Sequence, residues 1–158
     1  MCRLIILFCF FAWGFPASAL SVVFLNPGKS DELYWLSAAR AMESAAKSLD
    51  IHFEVLYAER EHLRSFDHVR ALIARPPAQR PDFVIFSNDY ATGPEVVRQL
   101  DAAGIKVFMA YSGRGSSRDA VAMGRPRERF KHWIGSLEPH AEEAGYLTGK
   151  ALIAKGRA

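Results

Sequence analysis

Cysteine is nearly missing from this chain of 158 residues, and the two that occur, Cys2 and Cys9, both lie ahead of Leu20. That leading stretch has a short positive start at Met1-Cys2-Arg3, an apolar run over Leu4–Phe15 and a small-x-small pattern at Ala17-Ser18-Ala19. The sequence therefore predicts a secretory signal peptide over residues 1–19, cleaved ahead of Leu20. No thiol would remain after cleavage, which excludes disulfide staples and thiolate metal sites and leaves the core to hold the fold. A membrane-spanning run is missing too, because the apolar run falls short of the roughly 20 residues that a spanning helix needs. Nor is there a cysteine at the cleavage point to carry a lipid, since Cys9 sits inside the apolar run.

Charge of one sign is scarce. The net charge is +3, and +2 without Arg3, which is no footprint for nucleic acid. Enzyme signatures are absent: there is no Gly-x-Gly-x-x-Gly after the first strand, no phosphate loop and no Gly-x-Ser-x-Gly elbow. Gly28-Lys29-Ser30 imitates the end of a phosphate loop but lacks its earlier glycine, and reads as a turn. The five histidines, His52, His62, His68, His132 and His140, fall on different elements without metal-ligand spacing. No catalytic residue, metal site or cofactor is expected.

What is present is alternation. Ser21–Leu25 is a short apolar strand, stopped by the turn formers Asn26-Pro27-Gly28. Ser30 then offers an N-cap, and Trp35, Ala38, Ala39, Met42, Ala45, Ala46 and Leu49 recur at helical spacing. Ile51–Tyr57 alternates as a second strand, and Glu61–Ala74 is helical until Arg75-Pro76-Pro77 stops it. Phe83–Ser87 is the continuous apolar run of a strand covered on both faces. Thr92-Gly93-Pro94-Glu95 has capping-box spacing ahead of a helix that ends at Gly104. Ile105–Ala110 gives a fourth strand, Tyr111–Lys131 a long irregular segment, His132–Gly135 a short strand, and Pro139 opens a last helix to about Ala154. Strict strand and helix alternation predicts an α/β fold with a doubly wound parallel sheet, whose ligands bind beyond the carboxyl ends of the strands.

Three stretches in this order carry a family resemblance: VVFLNPGKSDELYW, PDFVIFSNDYATGPEVVRQLDAAGIKVFMAYSG and HWIGSLEPHAEEAGYLTGKALIAKG. With them the mature chain resembles the N-terminal, Rossmann-like lobe of a type I periplasmic binding protein, the sugar-binding class that serves ABC transporters. The resemblance implies a lobe over residues 20–137 and, over residues 138–158, a crossover helix toward a second lobe that this sequence does not contain. It implies a periplasmic, non-catalytic protein that holds a small polar, sugar-like ligand and partners an ABC permease. Without hinge closure the expected binding is weak or nil, as in a truncated remnant. A membrane sensor, a histidine kinase or chemoreceptor, is the other expected partner, and exposed lobe surface predicts a homodimer.

The same resemblance marks Asn26, Tyr34, Trp35, Asn88, Asp89, Tyr111, Ser112 and Ser136 as ligand-facing, with Glu138 beside the last. Amides and carboxylates suit hydroxyls, and an aromatic face covers the apolar side of a sugar ring. Each has a plainer reading: Asn26 as a turn residue, Trp35 as the start of the helical stripe, Asn88 as a loop cap, Ser136 as a cap for the last helix. Tyr111-Ser112 stands where many sugar binders have Asp-Arg. Arg114, Arg118, Arg125, Arg127 and Arg129 form a basic run that suits either an anion or open solvent.

Overall fold

Strands form where β-branched and aromatic residues run together: β1 (Ser21–Asn26), β2 (His52–Tyr57), β3 (Phe83–Phe86), β4 (Lys106–Ala110) and β5 (Trp133–Leu137). The computed structural model describes residues 19–112 and 117–156, so the expected signal peptide lies outside the described residues except for Ala19. All neighbouring strands are parallel, in the order β2-β1-β3-β4-β5. Helices α1 (Leu33–Ser48), α2 (His62–Ala74), α3 (Gly93–Ala102) and α4 (Ser117–Met123) occupy the four crossovers, and α5 (Ala141–Gly156) follows β5. This is the expected doubly wound α/β sheet. Its strand order turns back at β1, which places the crevice between the carboxyl ends of β1 and β3.

The pleat of β1 sorts its side chains between two cores. Val23 and Leu25 join Val84, Phe86, Val107 and Met109 under α2 and α3, which contribute Val69, Leu72, Val96, Val97 and Leu100. Phe24 faces the other way, onto Trp35 and Ala39 of α1, with Phe53, Val55 and Ile85 packed around them. A fully buried leucine such as Leu72 or Leu100 stabilises the fold by about 1.5–3 kcal/mol. The pairing of β4 with β5 slips between Val107 and Phe108, and Gly135 lies against the Phe108 ring, where an added Cβ would come within 2.9 Å.

Three local expectations are corrected. The segment expected to be irregular contains α4, too short to display a period, yet Met123 at its end is fully buried. Ser30 does not cap α1: the helix begins at Leu33, and the Ser30 N–H instead donates to the Glu59 carboxylate at 3.2 Å. Thr92 does not cap α3 either. Its hydroxyl donates to the Asp89 carbonyl at 2.9 Å, and the Asn88 side-chain carbonyl takes the first helical N–H, from Gly93, at 2.6 Å.

Helix α5 buries none of its residues, and Tyr146, Leu147, Leu152 and Ile153 are all exposed. Among the described residues no helix is long and apolar enough to cross a membrane.

Candidate functional site

The loops after β1 and β2 are knitted into one rim. Asn26 ends β1 with 0% exposure; its amide donates to the Trp35 carbonyl at 3.1 Å and its side-chain oxygen accepts the Gly28 N–H at 3.0 Å. The loop packs so tightly that a Cβ on Gly28 would lie 2.0 Å from Trp35 Cδ1, so only glycine fits. Across the rim, the N–H groups of Ala58, Glu59 and Arg60 donate to the carbonyls of Asn26, Gly28 and Pro27 at 2.8, 3.0 and 3.1 Å. Glu59 and Arg60 take left-handed backbone, with φ of 54° and 65°, to make this turn. Arg60 grips Glu32 with two donors, one of them Nε to Oε2 at 2.8 Å. The Arg60 guanidinium holds the Glu32 carboxyl below its ordinary range, and Glu32, with a smaller contribution from Tyr90, raises Arg60 in return.

The loop after β3 supplies the polar centre. The hydroxyls of Ser87 and Ser112 lie 3.0 Å apart and both reach Asp89 Oδ1, at 3.1 and 2.6 Å. Asp89 Oδ2 faces Arg60 Nη1 at 3.9 Å, beyond hydrogen-bond length. Asn88 is buried beneath, with its side-chain carbonyl on Gly93 and its amide reaching Asp119 Oδ2 at 3.4 Å. Tyr90 and Ala91 follow with φ of 56°, a second left-handed pair, and the Tyr90 ring meets His62 at 5.8 Å. Such backbone is tolerated only where neighbouring contacts fix it, and here it clusters along one sheet edge.

Aromatic rings close the other flank. Trp35 is buried (4% exposed) between Phe24 and Tyr111, whose centroids lie 6.4 and 5.7 Å away. Tyr34 is 59% exposed, edge-on to Trp35 at 5.0 Å and to Tyr111 at 6.3 Å. Tyr111 also has left-handed backbone, φ 71°, and burial pushes its hydroxyl above the usual range. Tyr34 and Tyr111, with Leu137, Glu138 and Pro139, line an open hollow of about 290 Å³. A larger one, about 410 Å³, lies against α5 alone, whereas the smaller one lies at the carboxyl ends of β4 and β5 beside the polar cluster and is therefore the candidate.

Of the eight residues marked by the sequence, Tyr34, Trp35 and Tyr111 form one aromatic cluster, and Asp89 and Ser112 one polar cluster joined to it through the Tyr111-Ser112 step. Asn26 and Asn88 sit at the same edge but are buried, Asn26 bonded to the Gly28 and Trp35 backbone and Asn88 to the Gly93 N–H and Asp119. Ser136 is exposed on β5, paired in register with Met109 and outside the polar cluster. Glu32, Arg60 and Ser87 were not singled out from sequence. Glu59-Arg60 follows an alternating strand after one intervening residue, at a strand-to-helix turn, but nothing in that spacing marks Arg60 as functional.

Arg114 lies outside the described residues. Arg118, Arg125, Arg127 and Arg129 are exposed, and Arg129 donates to the Ala122 carbonyl at 2.8 Å. That is the solvated reading of the basic run. Among the described residues no group of three histidine, cysteine or carboxylate side chains could hold a metal ion.

Comparison with protein-family models gives no match, and comparison with curated proteins gives none either. Among solved structures, the chain is similar to a periplasmic sugar-binding protein from Pseudomonas fluorescens, with 33% identity over 82% of this chain and a TM-score of 0.66. A second structure, an ABC sugar transporter subunit from Rhodobacter sphaeroides, gives 22% identity over 58% of this chain and 32% of that one, with a TM-score of 0.47. The chain spans about a third, 35%, of the first structure's length.

Proposed function

Starting from a chain built as one lobe of a type I periplasmic binding protein, we propose that it is the solute-binding part of an ABC-type uptake system and acts in the periplasm. Its ligand is a small polyhydroxylated molecule, sugar-like, laid along the carboxyl edge of β1, β3 and β4. Tyr34 and Tyr111 cover an apolar ring face, and Asp89 and Ser112 exchange hydrogen bonds with hydroxyls. Trp35 backs the aromatic wall, Asn26 and Asn88 hold the loops, and Ser136 and Glu138 flank the exit of β5. The observation that carries this reading is the junction of two chemistries at the sheet's switch point: a carboxylate set by two serine hydroxyls, one residue from an aromatic hollow.

The site binds and does not react. Ser87 and Ser112 face the Asp89 carboxylate, and among the described residues neither is hydrogen-bonded to an imidazole that could take its proton. The experiment is a two-dimensional NMR titration of the mature chain with D-glucose, D-galactose, D-xylose and D-ribose. Saturable shifts at Tyr34, Asp89, Tyr111 and Ser112 are expected with at least one sugar. No sugar shifting these residues would overturn the reading.

A further inference from the structure

We propose that Arg60 is a ligand-contacting, specificity-setting residue, which with Asp89 grips two neighbouring hydroxyls of an uncharged sugar. The inference rests on the sugar-site reading and adds the residue and the ligand class.

The geometry is a gap between prepared partners. Asp89 Oδ1 is taken up by the two serine hydroxyls, which aims Oδ2 outward. Arg60 Nε and Nη2 are taken up by Glu32, which leaves Nη1 facing that oxygen across 3.9 Å. A polar separation of this size invites a bridging oxygen. Two adjacent hydroxyls laid alongside the pair satisfy both ends: one accepts from Arg60 Nη1 and the other donates to Asp89 Oδ2. Both bonds are charge-assisted, the stronger kind. Arginine suits the post because its planar fork can hold Glu32 with one edge and still present a donor on the other, which lysine cannot. The bidentate grip also orders the side chain before ligand arrives, so little rotamer freedom is lost on binding. The bent backbone at Glu59 and Arg60 fits a positioning role, since left-handed residues at a βα turn persist where contacts on both sides fix them.

Charge selects the ligand class. The Arg60 guanidinium is paired with Glu32 and faces Asp89, so its charge is already neutralised. A phosphate or carboxylate placed there would meet two carboxylates, Glu32 and Asp89. A neutral diol meets a donor and an acceptor that face each other, with the Tyr90 hydroxyl also beside the guanidinium.

The test uses the mature chain and whichever of the four sugars shifts the site most, with ribose 5-phosphate and glucose 6-phosphate as charged probes. The 15N signal of the Arg60 guanidinium is expected to move with the neutral sugar. Arg60→Met is expected to weaken binding at least about tenfold, and Arg60→Lys nearly as much. Glu32→Gln keeps the outward donor and is expected to lose less, about threefold. A merely structural Arg60 would make Glu32→Gln and Arg60→Met equivalent and leave the guanidinium signal still; either result overturns the inference. Binding by Arg60→Met as tight as that of the unaltered chain overturns it while the sugar site stands. Sugar phosphates binding more tightly than neutral sugars overturn the ligand class, and no response to any sugar fells both readings.

Discussion

Replacing Asn26 by alanine separates a loop-holding residue from a ligand-holding one. In the structure the side chain satisfies a buried N–H from Gly28 and donates to the Trp35 carbonyl, with no surface open to solvent. Alanine would orphan the Gly28 N–H, at about 1–3 kcal/mol, and remove a second bond of about 1 kcal/mol. The expected loss is about 2–4 kcal/mol, a large share of the roughly 5–15 kcal/mol that holds a domain together. With a urea slope of about 2 kcal/mol/M the unfolding midpoint should fall by about 1–2 M. The assay is equilibrium urea unfolding followed by tryptophan fluorescence and circular dichroism. Asn26→Asp sharpens the test: it keeps the acceptor for Gly28 but turns a carboxylate oxygen toward the Trp35 carbonyl. Its buried carboxyl would therefore have a raised value when folded, so the variant should regain stability as pH falls and the proton returns. An alanine variant with the original midpoint, or one that keeps its stability and loses only sugar response, would refute the argument.

Other expectations test different parts of the chain. Gly28→Ala should displace the Trp35 indole and destabilise by about 1–3 kcal/mol, with a changed tryptophan emission spectrum as the check; an unchanged spectrum would contradict the packing. Glu54 is paired with Arg75 through two bonds of 2.8 and 2.9 Å, and that guanidinium lowers its carboxyl below the ordinary value. Its contribution is complete above the unfolded value of about 4.3 and is lost as pH falls through the lowered folded value, so Glu54→Gln should flatten the acid limb of a Tm against pH curve. Tyr34→Ala, at an exposed position, should leave Tm within about 2–4 °C and weaken sugar response up to about tenfold. Leu100→Ala, in the core under α3, should cost about 2–5 kcal/mol by urea unfolding.

The alternation of apolar runs with helical stripes made the sheet legible, because each strand buried on both faces writes itself as a continuous run, as at Phe83–Phe86. Helix α4 was not legible: seven residues are too few to show a period, and its one deep anchor, Met123, is a single side chain. The caps were misread. Ser30 and Thr92 have the right chemistry at the right spacing, but α1 begins only at Leu33, beyond the reach the Ser30 cap assumed, and the Thr92 hydroxyl turns back to the Asp89 carbonyl. Within the site, Asp89, Tyr34 and Tyr111 could be named from their places after strands. Arg60 could not, since its role depends on a carboxylate 28 residues earlier and a loop from a different strand.

The order β2-β1-β3-β4-β5 bears on how the chain is made. Once the first two strands have paired, each later one emerges beside the strand that is then outermost, so every newcomer finds a vacant edge waiting and none must be threaded between finished neighbours. Asn26, Glu32, Arg60 and Asp89 all precede the fourth strand. The loops that carry them can therefore come together before the fourth and fifth strands dock, and a chain paused at that stage of folding would already carry its Glu32 to Arg60 bridge.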